Sequence, residues 1–248
     1  MLPLQPMEDK QLVFYQELGV AKYQPVWDYQ EKLLAETVSV KRQYFETPAE
    51  ERPTIHRLLL VEHPPVYTLG KSGHVENILI PESEMVARGI DYFKINRGGD
   101  ITFHGPQQLV GYPILDLEKF FTDIGKFLRG LEEVIIRTIA HYGIIGGRSA
   151  GETGVWIDAD VKGSERKICA MGVRTSRWVT MHGWALNVNT DLSYFNHIIP
   201  CGIRDKQVTS MEMELGRKVD FEEVKAILIK EFEVVFDVVI QPEPNAMA

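Results

Sequence analysis

Apolar residues recur along this chain in two rhythms, and the switches between them mark out strands and helices. Leu12, Val13, Phe14, Tyr15 and Leu18 crowd into a short β-forming run closed by Gly19, which predicts an opening strand. Over 25–42 the period lengthens. Val26, Trp27, Leu33, Leu34 and Val38 fall near one helical face, with Pro25 suited to a first turn. The unbroken run Leu58-Leu59-Leu60-Val61 reads as a buried strand, stopped by Pro64 and Pro65, which have no N–H to give a ladder. Further strands are predicted at 92–96, 101–103 and 110–115. The strongest helical signal covers 123–142, where Ile124, Phe127, Leu128, Leu131, Val134, Ile135 and Ile139 repeat at three- and four-residue steps before Gly143. Short β-like pieces follow around 154–157, 168–173 and 184–188, separated by turn formers. Asp220 and Glu223 have capping-box spacing ahead of Val224, Ile227, Leu228 and Phe232, which predicts a last helix, and 234–240 reads as a closing strand. Strands outnumber helices in an irregular order, so the expected class is α+β, a mixed β-sheet flanked by helices rather than a doubly wound fold.

Composition narrows the setting. With 248 residues and 44% hydrophobic content, the chain is expected to build one domain over 1–248, with or without a minor lobe. No run approaches the roughly 18 to 20 apolar residues of a membrane-spanning helix, and Met1-Leu2-Pro3-Leu4-Gln5-Pro6 lacks the pattern of a secretory leader, so a soluble cytoplasmic protein is expected. A formal net charge of −8 argues against nucleic-acid partners, whose binding draws on neutralised phosphates. One segment departs from that balance. Lys162, Arg166, Lys167, Arg174 and Arg177 stand against Glu165 alone, and are read either as a solvated loop or as a docking patch for an acidic partner.

The candidate chemistry gathers in a few short stretches. Arg97-Gly98-Gly99-Asp100-Ile101-Thr102-Phe103-His104 joins a glycine pair, over which a ligand can approach the backbone, to a cation and an imidazole. Met181-His182-Gly183-Trp184 repeats the histidine–glycine step, which suggests two walls of one pocket, with a purely structural His182 as the alternative. Neither a P-loop nor a dinucleotide fingerprint is present, and the two cysteines lack metal-ligand spacing. Cys169 lies in an apolar run and reads as a small core residue. Cys201, between Pro200 and Gly202, is where the chain must turn and can present its thiol to a cleft, with an inert cysteine and a surface Lys167 as the alternative. A free thiol titrates at about 8.5, so it needs a basic neighbour to act as a thiolate, and Lys167 is the candidate.

Taken together, these stretches resemble the lipoyl(octanoyl) transferases. The resemblance runs from about residue 55 to 205 through Glu62-His63-Pro64-Pro65-Val66-Tyr67-Thr68-Leu69-Gly70, Arg97 to Pro106, Gly111-Tyr112-Pro113-Ile114, Gly154-Val155-Trp156, Lys167 to Gly172, His182 to Asn187 and Ile199-Pro200-Cys201-Gly202. It implies the fold shared by biotin and lipoate protein ligases, with Cys201 as acyl-accepting nucleophile and Lys167 as its activating partner. It also implies that residues 97–104, Ala170-Met171-Gly172 and Gly183-Trp184-Ala185 line the octanoyl site. The family pattern His-Gly-Pro-Gly-Gln is broken here by Gln107 in place of the last glycine.

The implied reaction takes an octanoyl group from acyl carrier protein to a lysine of lipoyl domains, those of 2-oxoacid dehydrogenase E2 subunits and of glycine cleavage H protein. A Cys201 thioester is the intermediate, and no cofactor, metal or membrane partner is expected. Thioester to amide runs downhill, so no nucleotide is called for, and backbone N–H groups near Gly172 or Gly202 are the expected oxyanion donors. The alternatives are an ATP-dependent lipoate protein ligase, a transferase moving octanoate between lipoyl domains, and a noncatalytic acyl-binding protein.

Overall fold

The computed structural model describes residues 10–199 and 207–243; Cys201 lies outside the described residues. The chain opens with strand β1 (Gln11–Val20) and helix α1 (Tyr23–Gln43), then β2 (His56–Glu62) and β3 (Val66–Leu69). Helix α2 (Glu82–Ala87) leads to β4 (Asp91–Lys94), β5 (Ile101–His104) and β6 (Gln108–Ile114). Helix α3 (Ile124–Ala140) begins where the Asp123 carboxylate accepts the Lys126 N–H, an N-cap that satisfies one donor of the first turn. After it come β7 (Gly146–Gly147), β8 (Val155–Ile157), β9 (Arg166–Ser176) and β10 (Val179–Asn187). Strand β11 (Gln207–Val208), α4 (Met211–Leu215), α5 (Phe221–Phe236) and β12 (Val238–Pro242) complete the described chain.

Two mixed sheets result. The larger runs β12-β1-β2-β6-β10-β9-β8-β7, with β11 added on β9, and the smaller runs β4-β3-β5. The unbroken apolar run of β2 follows from its central position, because successive side chains leave opposite faces and both are covered. Leu58 and Leu60 enter a core with α3 and α5, including Phe127, Leu131 and Phe232, whereas Leu59 and Val61 join Val26, Leu33 and Leu34 of α1. The small sheet has its own core around Tyr67, Ile101, Phe103 and Phe195.

Two expectations need correction, and one strand is new. The basic segment 162–177 is not a solvated loop: β9 and β10 form one long hairpin turned by Arg177 and Trp178, whose φ values of 48° and 64° suit a two-residue primed turn. Arg166 is paired with Asp158 and Glu214, Arg174 with Glu31, and Lys167 is buried, so Lys162 and Arg177 are left as the exposed cations. At the chain's end, the apolar run at 234–240 divides. Its first three residues finish α5, because Phe232 and Phe236 stack at 4.5 Å one helical turn apart, and Asp237 at φ 52° ends the helix before β12. Finally, β3 is a strand not signalled by the apolar pattern.

Candidate active site

Where the two sheets meet, a cavity of about 750 Å³, counted out to its mouth, opens between β5, β9 and β10. Of the glycine-rich stretch, Arg97, Gly99, Asp100, Ile101, Thr102 and His104 line it. Strand β9 adds Lys167, Ala170, Met171 and Gly172, and β10 adds Gly183, Trp184 and Ala185. Gly98 and Phe103 stand back from the wall. The Gly98 N–H donates to the Val173 carbonyl at 3.1 Å and ties the loop to β9, while Phe103 stacks on Tyr194 in the small-sheet core at 4.6 Å. Glycine at 172 permits this closeness, since a Cβ there would lie 2.8 Å from the Gly98 carbonyl oxygen. His182 also lines the cavity, so the two histidine–glycine steps do form walls of one pocket. The sequence reading missed Tyr23, Gln108, Tyr112, Asn187, Phe195 and Val208 on the same wall. Two of the polar ones had a signal: Gln108 and Asn187 are amides adjoining the apolar runs Leu109-Val110 and Trp184-Ala185-Leu186.

Those amides fix the protonation pattern. The Gln108 Nε2 donates to the Phe103 carbonyl at 3.1 Å and to Asn187 Oδ1 at 2.9 Å, and the Asn187 Nδ2 donates to the Thr209 carbonyl at 2.9 Å. Carbonyls only accept, so Gln108 Oε1 must face His104, whose Nδ1 donates to it at 2.9 Å. His104 Nε2 is then an acceptor, 3.5 Å from the Thr68 hydroxyl, which itself accepts from Arg97 Nη2 at 3.0 Å. Donors thus run one way from Arg97 to Thr209. His63 is fixed by the same logic, its Nδ1 donating to the Ala21 carbonyl at 2.7 Å and its Nε2 accepting from the Tyr112 hydroxyl at 2.9 Å. Burial is the largest cause holding all of these imidazoles neutral. It pushes His63 down to about 4 and His182 to about 3, and His104 lies well below its usual value with a second contribution from His63. His104 is therefore a fixed hydrogen-bonding link in this network. Arg97 is likewise engaged, donating to the carbonyls of Gly98 and Thr68.

His182 sits in the left-handed region at φ 59°, inside a strand, where its N–H donates to the Gln30 side-chain oxygen at 2.9 Å. Such a conformation costs on the order of 1 to 3 kcal/mol and persists where the surroundings hold it. Gln107 is left-handed as well, at φ 61°. Its departure from glycine is accommodated by four hydrogen bonds: its N–H donates to Glu62, its carbonyl accepts from the Asn189 N–H and the Thr190 hydroxyl, and its side-chain oxygen accepts from Asn189 Nδ2.

Lys167 lies opposite Trp156 across β8 and β9, with Nζ 4.5 Å from the indole centroid, close enough for a cation–π contact. On its other side, Val208 pairs with Lys167 and the Thr209 N–H donates to the Lys167 carbonyl at 3.0 Å. Cys169 is wholly buried, and desolvation raises its thiol above the ordinary range, which disfavours a thiolate there.

Residues 22–233 match the family model of the lipoyl protein ligase A/B catalytic domain. The octanoyltransferase of Christiangramia forsetii is 58% identical to this chain over 220 residues, covering 88% of this chain and 93% of that protein. The chain belongs to the lipoyl(octanoyl) transferase family. The octanoyltransferase of Flavobacterium johnsoniae is also 58% identical, over 90% of this chain and 95% of its own. A member of this family is a transferase, as expected from the resemblance. Its fold is that of the lipoate protein ligases: a bipartite lipoate protein ligase from Thermoplasma acidophilum superposes with a TM-score of 0.67 over 97% of this chain and 89% of that chain, at 16% identity. No helix among the described residues of this family member is long and apolar enough to cross a membrane.

Proposed function

We propose that this family member moves an octanoyl group from the thioester of acyl carrier protein to a lysine amine of lipoyl domains, through a thioester on Cys201. Residues 1–248 would act as one catalytic unit in the cytoplasm, serving the E2 subunits of 2-oxoacid dehydrogenases and glycine cleavage H protein. The observation that carries this reading is the pinning of Lys167. The segment that leaves the cysteine stretch, Val208 and Thr209, is bonded to Lys167's own backbone beside an apolar cavity.

The chemistry follows from those parts. The Cys201 thiolate attacks the donor carbonyl, the bond to the carrier's sulfur breaks, and the Lys167 ammonium returns a proton to that leaving thiolate. The target amine then attacks the octanoyl-cysteine, Lys167 takes the amine's proton, and Cys201 leaves as thiolate. Backbone N–H groups near Gly172 or Gly202 would hold each tetrahedral oxyanion, a donor being worth on the order of 3 kcal/mol. Met171, Trp184 and Ala185 would cover the octanoyl chain, each buried methylene contributing about 0.8 kcal/mol. Residues 97–104 would shape the cavity mouth, with His104 and Arg97 as fixed links.

The lipoate-ligase fold makes an ATP-dependent ligase the second reading. Incubation with an apo lipoyl domain separates the two. Octanoylation from octanoyl-acyl carrier protein without ATP supports transfer, whereas modification from octanoate only when ATP is added would replace that reading with ligation.

A further inference from the structure

Asn77 belongs to none of the motifs, yet it joins the cavity to the chain that runs into the cysteine stretch. Residues 75–77 form a single 3-10 turn. Beyond it, the strand-like segment at 77–79 lies antiparallel to 197–199: the Ile199 N–H donates to the Asn77 carbonyl at 2.8 Å, Ile78 bridges Ile198, and the Leu79 N–H donates to the His197 carbonyl at 2.9 Å. The Asn77 side chain faces the other way. Its Nδ2 donates to Asp100 Oδ2 at 2.6 Å, while Asp100 Oδ1 accepts the N–H groups of Ile101 at 2.7 Å and His74 at 3.3 Å. A carboxylate can only accept, so the amide orientation is unambiguous.

Asp100 lines the cavity and Ile199 precedes Cys201 by two residues. We infer that Asn77 is a positioning residue for acyl transfer, holding the chain at Ile199 in register with the Asp100 rim of the acyl cavity. The inference rests on the Cys201 reading and deepens it. Asp100 is accordingly a clamp rather than a group spent on the octanoyl chain. A misplacement of about 1 Å at a reacting centre can cost on the order of a hundredfold in rate, so loosening this bridge acts on the chemical step and leaves substrate capture nearly intact.

The bridge is testable by exchanging its two halves. In the full-length protein, Asn77→Ala is expected to slow Cys201 acylation by octanoyl-acyl carrier protein about tenfold at saturation, with the half-saturating concentration changed less than about twofold. Asn77→Asp sets two carboxylates face to face and slows it further. The double variant Asn77→Asp/Asp100→Asn restores one amide and one carboxylate, and should recover to within about threefold of wild type. Alkylation of Cys201 by iodoacetamide, read by peptide mass in the same four proteins, follows the position of the thiol without needing an octanoyl group. Wild-type rates in Asn77→Ala, or a double variant no faster than Asn77→Asp, would overturn the inference. If the wild type takes up no octanoyl group yet alkylation keeps the predicted order, the transfer reading falls and the positioning role stands.

Discussion

Acidifying this protein should destabilise it well before its carboxylates protonate, because four histidines are buried in neutral form. His56, His63, His104 and His182 are at most 7% exposed, and burial depresses each of them, His63 to about 4 and His56 and His182 to about 3. In the unfolded chain they titrate near 6.5, so below that pH the unfolded state binds protons that the folded state refuses. Stability is therefore complete above about 6.5 and is lost as pH falls toward the folded values, at up to about 1.4 kcal/mol per pH unit for each group. For His63 the loss between pH 7 and 5 is on the order of 2 kcal/mol. Four such groups remove several kcal/mol, a large share of the roughly 5 to 15 kcal/mol typical of a folded domain. Carboxylates held low by partners, such as Glu133 beside Arg148 and Glu214 beside Arg166, begin to contribute only below this window. Urea unfolding at pH 7, 6 and 5 reads the effect as a falling midpoint. His63→Gln removes one titrating group and should flatten the dependence by about one proton. A midpoint constant from pH 7 to 5, or a His63→Gln slope identical to wild type, would refute the reasoning.

Lys167→Met keeps the length of the side chain and removes its amine, so acylation of Cys201 should fall by about a hundredfold or more while the unfolding free energy in urea falls by only about 1 kcal/mol, the scale of the Trp156 contact. Equal activity of this variant would remove Lys167 from the mechanism. At Gln107 the usual order of residues should invert. Both Gln107→Gly and Gln107→Ala lose the bond from Asn189, but only glycine relieves the left-handed backbone, so it should be the more stable variant by about 1 kcal/mol in chemical denaturation. Gly183→Ala would put a Cβ 2.2 Å from the Gly111 carbonyl oxygen, forcing β6 and β10 apart. A loss of about 3 kcal/mol with weakened octanoyl binding is expected, and an unchanged melting curve would contradict that packing.

The elements that could be read from the sequence were those whose side chains answer to one local periodicity. Leu58 to Val61 and the Asp123-capped helix behave as their patterns demand, because burial on two faces or on one stripe writes itself into the spacing. The hairpin of β9 and β10 reads from sequence as separate short pieces, and the charge of 162–177 reads as a solvated loop or a docking patch. The partners of its cations, Glu31, Asp158 and Glu214, lie on other elements and leave no local trace. The apolar run at 234–240 carried no period able to separate helix from strand, and the Phe232–Phe236 stack decided it. For the site, the residues were legible through motifs and resemblance, but their division of labour was not. That Arg97 and His104 are engaged by Thr68 and Gln108, that Phe103 faces away and that Asn77 reaches Asp100 all depend on contacts beyond each residue's own motif.

The central claim is a covalent octanoyl-cysteine, and intact mass tests it most directly. The wild-type protein, Cys201→Ser and Cys169→Ser are each mixed with octanoyl-acyl carrier protein, quenched in acid and weighed, then chased with an apo lipoyl domain. One octanoyl group should appear on the wild type and on Cys169→Ser, be absent from Cys201→Ser, and vanish on the chase as the lipoyl domain gains it. No adduct on the folded wild-type protein, or an adduct that persists in Cys201→Ser, would contradict the account.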